Sequence, residues 1–408
     1  MAFGLRKRKG SNEQQEEPEY DGMESSDSLS DSVQPEEKKK SHRPAENAFR
    51  QQKLKAYHPI LTPKTIIPLL LAIAVVFIPL GAGMLYGANR VEELVIDYTY
   101  CESNASTNAF SDIPEEYYDY YFHTPMTITP KWKYSINESE TYEDERGLCE
   151  IQFQIPNDIG PSVYLFYRLK NFYANHRRYV KSFSEDQLHG TAASLSLIKD
   201  TVGQNCEPLS TDENGKKIYP CGLIANSLYN DTYTSPVGVN GTSDYDMTRE
   251  GIAWATNKNR FKMTKYNASE VVPPPNWIKS YPDGYTEENM PDISTWYEFQ
   301  NWMAPSALAL FSKMVLRNDH DKMVAGTYQI TAGLHFPVTP YDGRKYIYLS
   351  TRSVTGGKNP FLGIAWIVGG AICLVLSLAF LIVNILHPRK LGDVNHLSWV
   401  KAQQKQES

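Results

Sequence analysis

The sequence predicts a membrane protein with two transmembrane α-helices and a large β-rich ectodomain, whose strands are antiparallel and which has helical insertions. Residues 66–88 and 360–386 contain no Asp, Glu, Lys or Arg, which predicts the two membrane spans. Between them, several short runs alternate apolar and polar residues with a period of two, which is typical of strands with one buried face. The intervening residues 89–359 are enough for one large or two small domains.

Each apolar stretch is long enough to cross a bilayer as a helix. A helix rises about 1.5 Å per residue, so about 20 residues span a hydrocarbon core of about 30 Å. A helix of this length in a soluble protein would carry a polar stripe. The first stretch begins far from the N-terminus and is longer than the apolar part of a signal peptide, so we expect a signal anchor that is not cleaved.

The cations near the spans predict that both tails lie in the cytosol. The four cations nearest to the first span on its N-terminal side are Arg50, Lys53, Lys55 and Lys64. Arg90 follows that span together with two glutamates, and Arg389 and Lys390 follow the second span. Since cytosolic flanks carry the excess of Lys and Arg, this distribution places the region between the spans on the non-cytosolic side.

The charge of the intervening region is consistent with that topology. The tails (1–64 and 387–408) contain 16 of the 41 Lys and Arg residues and 13 of the 47 Asp and Glu residues. The region between the tails therefore contains 25 Lys and Arg residues and 34 Asp and Glu residues, which gives a formal charge of -9. An acidic ectodomain argues against binding to nucleic acid.

We expect an integral membrane protein of the secretory pathway, in the endoplasmic reticulum, the Golgi and endosomes, or the plasma membrane.

Four of the five cysteines lie between the spans, and the oxidising lumen favours two disulfides there: Cys101, Cys149, Cys206 and Cys221. Four cysteines allow three pairings. We favour Cys101 with Cys149 and Cys206 with Cys221, because the second pair closes a short local loop. A four-cysteine zinc site is the alternative, but no C-x₂₋₄-C spacing is present. Cys373, inside the second span, is expected to be a small apolar packing residue.

Five N-x-[ST] sequons also lie between the spans, and neither tail contains one. Their asparagines are Asn104, Asn137, Asn230, Asn240 and Asn267. Because glycans are added only on the lumenal side, this distribution supports the predicted topology and predicts an N-glycosylated ectodomain.

The cytosolic part that precedes the first span divides into two segments. Residues 1–46 combine charged blocks with Ser and few apolar residues, which predicts a disordered cytosolic tail. The predicted domains are a tail (1–46), a cytosolic juxtamembrane segment (47–65), a first span (66–88), an ectodomain (89–359), a second span (360–386) and a cytosolic tail (387–408).

The juxtamembrane segment mixes apolar and basic side chains. Phe49, Leu54 and Tyr57 alternate with Arg50 and Lys53. The cations suit the anionic cytosolic leaflet, and prolines at positions 59 and 63 prevent one continuous helix into the membrane. We therefore predict that this segment lies on the membrane or on a partner, although such cations can also act only as a topology signal.

Several elements of the ectodomain can be predicted individually. The expected strands are 149–155, 162–169, 327–334 and 345–350, and the last two flank a turn at Asp342 and Gly343. Residues 295–303, which follow Pro291 and Asp292, predict a short aromatic helix.

The sequence contains no recognisable catalytic or cofactor motif. It has no Walker A loop, G-x-S-x-G, H-E-x-x-H or kinase motif set, so we expect neither enzymatic activity nor a cofactor. The polar cluster 175–178 could bind a phosphate or a sugar acid, but we expect its cations to form ion pairs within the acidic ectodomain. The spans lack the ionisable residues of an ion-coupled transporter. Gly83 and Gly87 form a G-x-x-x-G pattern suited to packing against a partner helix, unless these glycines simply face lipid.

The chain resembles the fungal ligand-effect-modulator family, the cell-division-cycle-type accessory (β) subunits of type-four P-type ATPases, which are lipid flippases. The resemblance extends over roughly residues 47 to 400. It is carried by 49–55 (FRQQKLK), 59–61 (PIL), 175–180 (NHRRYV), 219–227 (YPCGLIANS), 229–232 (YNDT), 273–277 (PPPNW), 281–285 (YPDGY) and 359–363 (NPFLG).

The resemblance implies an antiparallel β-sandwich, sequential disulfides and no catalysis in this chain. It implies that a partner ATPase hydrolyses ATP and moves phospholipid from the exoplasmic to the cytosolic leaflet. The accessory subunit would be needed for the partner's folding, its export from the endoplasmic reticulum and its activity. The partners expected are therefore the ATPase catalytic subunit and membrane lipids. The same topology also permits a free-standing receptor or lectin-like protein, which would run on its own in detergent, or a lumenal enzyme, which would need a catalytic site.

Overall fold

The computed structural model describes residues 47–50, 52–55, 61–199, 201–354, 356–388, 394 and 397–400. The chain forms two compact units, residues 1–60 and residues 61–408. In the first unit, the described residues include a turn at 48–50. The predicted tail 1–46 lies outside the described residues. All elements below belong to the second unit.

Two helices within the described residues are long and apolar enough to cross a membrane, Pro63–Asn89 and Phe361–Leu386. The helices are α1 (Pro63–Asn89), α2 (Cys101–Asn104), α3 (Arg177–Val180), α4 (Glu185–Leu188), α5 (Leu195–Lys199), α6 (Leu223–Asn226), α7 (Asn257–Arg260), α8 (Tyr297–Trp302) and α9 (Phe361–Leu386). The first begins at Pro63 because a proline fits the first helical position, where its missing N–H has no intrahelical acceptor. The Thr62 N–H donates to the Thr65 hydroxyl at 3.2 Å, which caps the helix start.

The strands lie between these two helices. They are β1 (Glu93–Asp97), β2 (Ser111–Asp112), β3 (Tyr118–Tyr121), β4 (Lys131–Ile136), β5 (Gly147–Ile155), β6 (Val163–Lys170), β7 (Lys217–Ile218), β8 (Thr232–Tyr233), β9 (Val237–Val239), β10 (Val271–Val272), β11 (Leu310–Asn318), β12 (Gly326–Gly333) and β13 (Arg344–Thr351). The four strands expected from the sequence correspond to β5, β6, β12 and β13, and the expected aromatic helix contains α8, so these predictions are confirmed.

The two main sheets form the predicted antiparallel sandwich. The first sheet has the order β11-β6-β13-β1-β3, and the second has the order β2-β4-β5-β12-β8 with β9 also beside β12. The small pair β7 and β10 is parallel. The long insertion between β6 and β11 contains six of the short helices. Most buried apolar side chains form one cluster shared by both sheets and this insertion.

The turn at Asp342 and Gly343 exists, but its flanking strands do not form a hairpin. Asp342 has a φ of 54°, a left-handed conformation that Asp tolerates at a turn. The strand before it, β12, pairs with β5 in the second sheet, whereas β13 pairs with β6 and β1 in the first sheet. The chain therefore crosses from one face of the core to the other at this turn.

Rows of side chains cross the first sheet and face the core. Across the sheet, Leu316 is the register partner of Leu165, and Leu165 is also the register partner of Leu349. Leu349 is in turn the register partner of Leu94. All four are at most 4% exposed. This row lies near the membrane-proximal end of the sheet, because β1 follows α1 directly and β13 leads into α9.

Candidate functional site

The two long helices approach each other most closely at glycines. A Cβ atom added at Gly81 would lie 2.7 Å from the Gly363 carbonyl oxygen, and one added at Gly363 would lie 2.8 Å from the Leu85 nitrogen. A Cβ at Gly370 would lie 2.8 Å from Cγ1 of Ile78. Such distances leave no room for a larger residue, so these glycines allow the two backbones to pack in the way typical of membrane helices.

Polar and aromatic contacts extend this helix pair. The Ser377 hydroxyl donates to the Ile67 carbonyl at 3.1 Å, and Ser377 is buried. The Phe77 and Trp366 ring centroids are 4.3 Å apart. Since the other groups available in lipid are apolar, a satisfied hydroxyl between two helices contributes to their association.

The glycines predicted for partner packing lie elsewhere on α1. Among the described residues, no atom lies within 4 Å of a Cβ added at Gly83, and Gly87 meets only Cβ of Ser353 at 4.0 Å. The G-x-x-x-G pattern therefore does not mediate the contact with α9, and its role toward a partner stays a prediction. Sequence reasoning missed Gly363 and Gly370, whose seven-residue spacing places both on one helix face.

A buried carboxylate joins the helices to the sandwich at the membrane-proximal end. Oε1 of Glu92 accepts hydrogen bonds from the His123 backbone N–H at 3.0 Å and the Asn157 amide at 2.7 Å, and lies 2.7 Å from Nδ1 of His123. The Glu92 N–H donates to the Thr351 hydroxyl and the Thr351 N–H donates to the Glu92 carbonyl, both at 2.9 Å. Because Thr351 ends the strand before α9 and Glu92 directly follows α1, these bonds connect the beginning and the end of the ectodomain.

A second buried polar network lies farther from the membrane, between the sheets. Nζ of Lys345 is 2.7 Å from Oδ2 of Asp231, which also accepts hydrogen bonds from the Tyr98 hydroxyl at 2.8 Å and the Tyr229 hydroxyl at 3.0 Å. The Tyr233 hydroxyl lies 2.6 Å from each of those tyrosine hydroxyls. Burial, and secondly the charge of Asp231, raises the pKa of all three tyrosines well above the ordinary value.

The three tyrosines therefore stay neutral. Tyr98 and Tyr229 donate hydrogen bonds to Asp231, and the Tyr233 hydroxyl bonds to those two hydroxyls. The remaining oxygen of Asp231 accepts from the backbone N–H groups of His335 at 2.7 Å and Phe336 at 2.6 Å. Lys345 also donates to the Phe336 carbonyl at 3.0 Å. A fully satisfied and deeply buried network of this kind specifies packing, and it presents no exposed nucleophile or base.

The disulfides have the pairing favoured from the sequence. Cys101 is bonded to Cys149, which attaches α2 to β5, and their Cα atoms are 6.1 Å apart. Cys206 is bonded to Cys221, with Cα atoms 5.6 Å apart. The second bridge lies in a separate small apolar cluster with Ile198 and other residues of the insertion. The first bridge therefore lies within the main core, whereas the second stabilises a small cluster within the insertion.

The five sequon asparagines lie on or near the surface. Asn137 is half-buried, and the others are exposed: Asn104, Asn230, Asn240 and Asn267. The Asn267 side-chain oxygen accepts from the Ser269 hydroxyl at 2.8 Å. These positions are accessible to a transferase, and their glycosylation stays a prediction.

The expectation of ion pairs at the 175–178 cluster is wrong. His176, Arg177 and Arg178 are exposed, and none of them forms an ion pair within the described residues. Asn175 donates to the Ala307 carbonyl at 2.8 Å. The reason is geometric, because the short helix α3 lies on the surface of the insertion and directs these cations toward solvent.

The juxtamembrane segment exposes its apolar side chains. Phe49 is 76% exposed and Leu54 is 60% exposed. The Arg50 N–H donates to the Asn47 side chain at 2.7 Å, and the Lys53 N–H donates to the Ala48 carbonyl at 2.8 Å. Tyr57, the remaining predicted contact residue, lies outside the described residues. A role for this segment in binding a partner stays a prediction.

Comparison with known proteins gives a consistent set of relatives. The family model of the LEM3 (ligand-effect modulator 3) family / CDC50 family matches residues 84–390. The phospholipid-transporting ATPase accessory subunit LEM3 of Saccharomyces cerevisiae is 46% identical over 385 residues, which are 93% of this chain and 92% of that protein. The phospholipid-transporting ATPase accessory subunit CDC50 of Chaetomium thermophilum is 41% identical over 391 residues, which are 92% of this chain and 94% of that protein.

The similarity extends beyond fungi. Cell cycle control protein 50A of Bos taurus is 35% identical over 368 residues, which are 85% of this chain and 90% of that protein. The matched region 84–390 contains the whole sandwich, both disulfides and α9. From the family match and from the similarity along nearly the full length, we conclude that the chain belongs to the LEM3/CDC50 family.

Proposed function

We propose that this chain is the non-catalytic accessory subunit of a phospholipid-transporting ATPase, needed for that enzyme's folding, its export from the endoplasmic reticulum and its transport activity. The observation that carries the proposal is the 46% identity, over 93% of this chain, to a protein named as such a subunit. The partner would hydrolyse ATP and move phospholipid to the cytosolic leaflet. This chain would thereby support lipid asymmetry of the membrane.

The chain would contact its partner on three sides. The ectodomain would cover the exoplasmic loops, the two helices would pack on the partner's helices, and segment 47–65 would follow its cytosolic face. The open surface around Gly83 supports the second contact, because α9 does not occupy it. The exposed Phe49 and Leu54 support the third contact, because exposing large apolar side chains to water is unfavourable and a partner surface would bury them.

The proposed topology places segments 1–65 and 387–408 in the cytosol and residues 89–359 in the lumen or outside the cell. The confinement of sequons and disulfides to the ectodomain supports this orientation. The same features support passage through the endoplasmic reticulum and the Golgi to endosomes or the plasma membrane.

Affinity purification of the tagged full-length chain from its native membranes tests the proposal. We expect a P-type ATPase in about equal molar amount, identified by mass spectrometry, and a complex much larger than the 46.4 kDa chain. A chain that runs near its own mass plus glycans under mild detergent, without an ATPase, would instead support a free-standing receptor or lectin-like protein.

The cytosolic contact is tested separately by replacing Phe49, Arg50 and Lys53 with Ala. Lys55 and Lys64 remain to maintain the orientation of the first span. We expect less ATPase to co-purify, or slower ATP turnover, with unchanged glycan maturation of the ectodomain. Deletion of residues 1–46 is the control and should leave assembly intact. Wild-type recovery and turnover of the triple variant would contradict the cytosolic contact.

A further inference from the structure

An open cleft lies at one flank of the sandwich, where the edge of the first sheet faces β8 of the second. Its volume is about 460 Å³, which is in the range of sites for small ligands. The side chains that determine its chemistry are Tyr233, Met247, Arg249, Glu250, Tyr297 and Leu316.

The register of the first sheet places the Leu316 side of this cleft near the membrane-proximal end, whereas its Tyr233 side belongs to the buried network farther from the membrane. Leu316, in the cleft floor, and Leu349, on β13, are both register partners of Leu165. Leu349 precedes Thr351 by two residues, and Thr351 bonds to Glu92 at the start of the ectodomain. With about 3.3 Å per residue and about 4.8 Å between strands, the floor lies about 7 Å along the strands and about 10 Å across the sheet from that junction.

The inner surface of the cleft is apolar and aromatic. Leu316 and Tyr233 are at most 5% exposed, and Met247 and Tyr297 are half-buried. The Tyr233 hydroxyl is fixed by two tyrosine hydroxyls of the buried network, both at 2.6 Å, so its ring is a rigid wall. Tyrosine rings attract ammonium groups through their negative faces.

The rim of the cleft carries charges of both signs. Nε of Arg249 lies 3.4 Å from Oε1 of Glu298, and the two side chains are 57% and 34% exposed. Exposed pairs of this kind are weak because solvent screens them, so a ligand can displace them. Glu250 is exposed beside Arg249 and forms no ion pair within the described residues. A guanidinium suits a phosphate in a bidentate geometry, and the carboxylates suit a cation.

We propose that this cleft binds the headgroup of a zwitterionic phospholipid of the exoplasmic leaflet. Arg249 holds the phosphate, while Tyr297, Glu250 and Glu298 surround the ammonium group. The apolar and aromatic floor, the Arg249 guanidinium and the Glu250 carboxylate in the lining, and the Glu298 carboxylate paired with Arg249 match a ligand that carries both charges. The position of Leu316 near the membrane-proximal end of the sheet matches a lipid. This inference goes beyond the accessory role and needs only that α1 and α9 cross a bilayer.

A soluble probe tests the chemistry of the cleft. Glycerophosphocholine binding to the full-length chain in detergent is measured by saturation-transfer NMR, with glycerophosphoglycerol as the probe that lacks an ammonium group. We expect Arg249→Ala and Tyr297→Ala each to weaken glycerophosphocholine binding about tenfold. The matched control Arg177→Ala removes an exposed arginine elsewhere and should have no effect. Near-UV circular dichroism of each variant confirms that the ectodomain is folded.

A membrane-bound probe distinguishes the lipid from a soluble zwitterion. The chain is placed in nanodiscs with phosphatidylcholine that carries a diazirine on its choline group, and peptide mass mapping locates the photo-adducts. We expect adducts on residues 247–250 and on Tyr297, reduced about tenfold by Arg249→Ala but not by Arg177→Ala.

Three results would overturn the proposal. Equal binding of glycerophosphoglycerol would show a phosphate site without selectivity for an ammonium group. Binding of the soluble probe without cleft adducts in nanodiscs would assign the cleft to a free solute. Absence of both signals, with residues 247–250 protected from labelling only in the complex with an ATPase, would assign the cleft to a protein contact. None of these readouts depends on ATP turnover, so they remain separate from the test of the accessory role.

Discussion

The Lys345 ammonium nitrogen lies 2.7 Å from the Asp231 carboxylate, and their side chains are only 6% and 0% exposed. Lys345 belongs to β13 of the first sheet, whereas Asp231 directly precedes β8 of the second. The pair therefore joins the two sheets through the core. A buried charge is tolerated only where it has an oppositely charged partner and its hydrogen bonds are all formed. The burial of each residue therefore requires the charge of the other.

We predict that Lys345→Met or Asp231→Asn destabilises the ectodomain by about 3–5 kcal/mol, because each change leaves the other partner buried and incompletely paired. Such a loss is comparable to the total stability of many domains. The variants should therefore remain in the endoplasmic reticulum with glycans that stay sensitive to endoglycosidase H. Thermal unfolding of the detergent-purified protein gives the corresponding shift in Tm.

The control for this prediction is Lys131→Met. Lys131 lies 3.7 Å from Asp112, but the two side chains are 42% and 68% exposed. A surface pair contributes at most about 1 kcal/mol, so this variant should mature normally. Equal behaviour of Lys131→Met and Lys345→Met would contradict a structural role for the buried pair.

The helix pair leads to a second prediction, at Gly363. Gly363→Ala places a Cβ atom 2.8 Å from the Leu85 nitrogen and 2.9 Å from the Gly81 carbonyl oxygen, so the helices must separate locally. Gly83→Ala adds the same atom where the described residues leave open space. We expect the first change, and not the second, to disturb the contact between α1 and α9.

Cysteine cross-linking measures that disturbance. Cysteines replace Phe77 and Trp366, whose ring centroids are 4.3 Å apart, in a chain with Cys373→Ala. We expect oxidative cross-linking to slow several-fold with Gly363→Ala and to stay unchanged with Gly83→Ala. Equal rates in both variants would mean that close glycine contact does not hold the helices together.

A third prediction concerns Lys313, which is buried without a carboxylate partner in the described residues. Its Nζ donates to the carbonyls of Asn301 and Ala304, both at 2.6 Å. Burial lowers the pKa of Lys313 from 10.5 to about 8. Below pH 8 the folded protein therefore carries the cost of burying a protonated lysine.

The sign of the pH dependence follows from proton binding. Between pH 8 and 10.5 the unfolded chain keeps the Lys313 proton and the folded chain releases it, so the free energy of unfolding rises with pH. We expect wild type to gain about 2 kcal/mol relative to Lys313→Met between pH 8 and 10. Chemical unfolding of both proteins at several pH values measures this difference, in which the ionisation of tyrosines cancels. A pH-independent difference would contradict the lowered pKa.

The sequence predicts the local elements of this fold better than their arrangement. Strands such as Gly147–Ile155 alternate strictly, and the structure buries every second residue of this strand. The turn at Asp342 was also predictable, because Asp and Gly tolerate a left-handed backbone. That it connects two different sheets was not, because strand pairing depends on contacts distant in sequence.

The functional features likewise divide into those that a local sequence pattern predicts and those that depend on contacts between distant residues. The cysteine pairing followed from spacing, but the ion pair of Asp231 and Lys345 did not, because 114 residues separate the partners. The exposed cations Arg177 and Arg178 were expected in ion pairs, and net charge alone could not reveal that α3 lies on the surface. The cleft around Leu316 and Arg249 likewise combines segments that no local pattern connects.

Glycosylation gives a fourth prediction, which also tests the topology. The exposed Asn104, Asn230, Asn240 and Asn267 and the half-buried Asn137 should carry glycans, because all lie in the proposed lumenal region. Enzymatic deglycosylation should sharpen the band and increase its mobility on a gel. Each single Asn→Gln substitution should lower the apparent mass by about one glycan. An unchanged band from a eukaryotic host would contradict the lumenal placement of residues 89–359.

Phospholipid uptake in cells tests the central claim most directly. Cells that lack this chain are compared with the same cells re-expressing it, and the inward movement of fluorescent phospholipids across the plasma membrane or isolated secretory membranes is measured. We predict that uptake, and the amount of the partner ATPase that leaves the endoplasmic reticulum, fall together without the chain and recover together with it. Normal ATPase export and normal uptake of every phospholipid tested in cells without the chain would contradict its role as an accessory subunit.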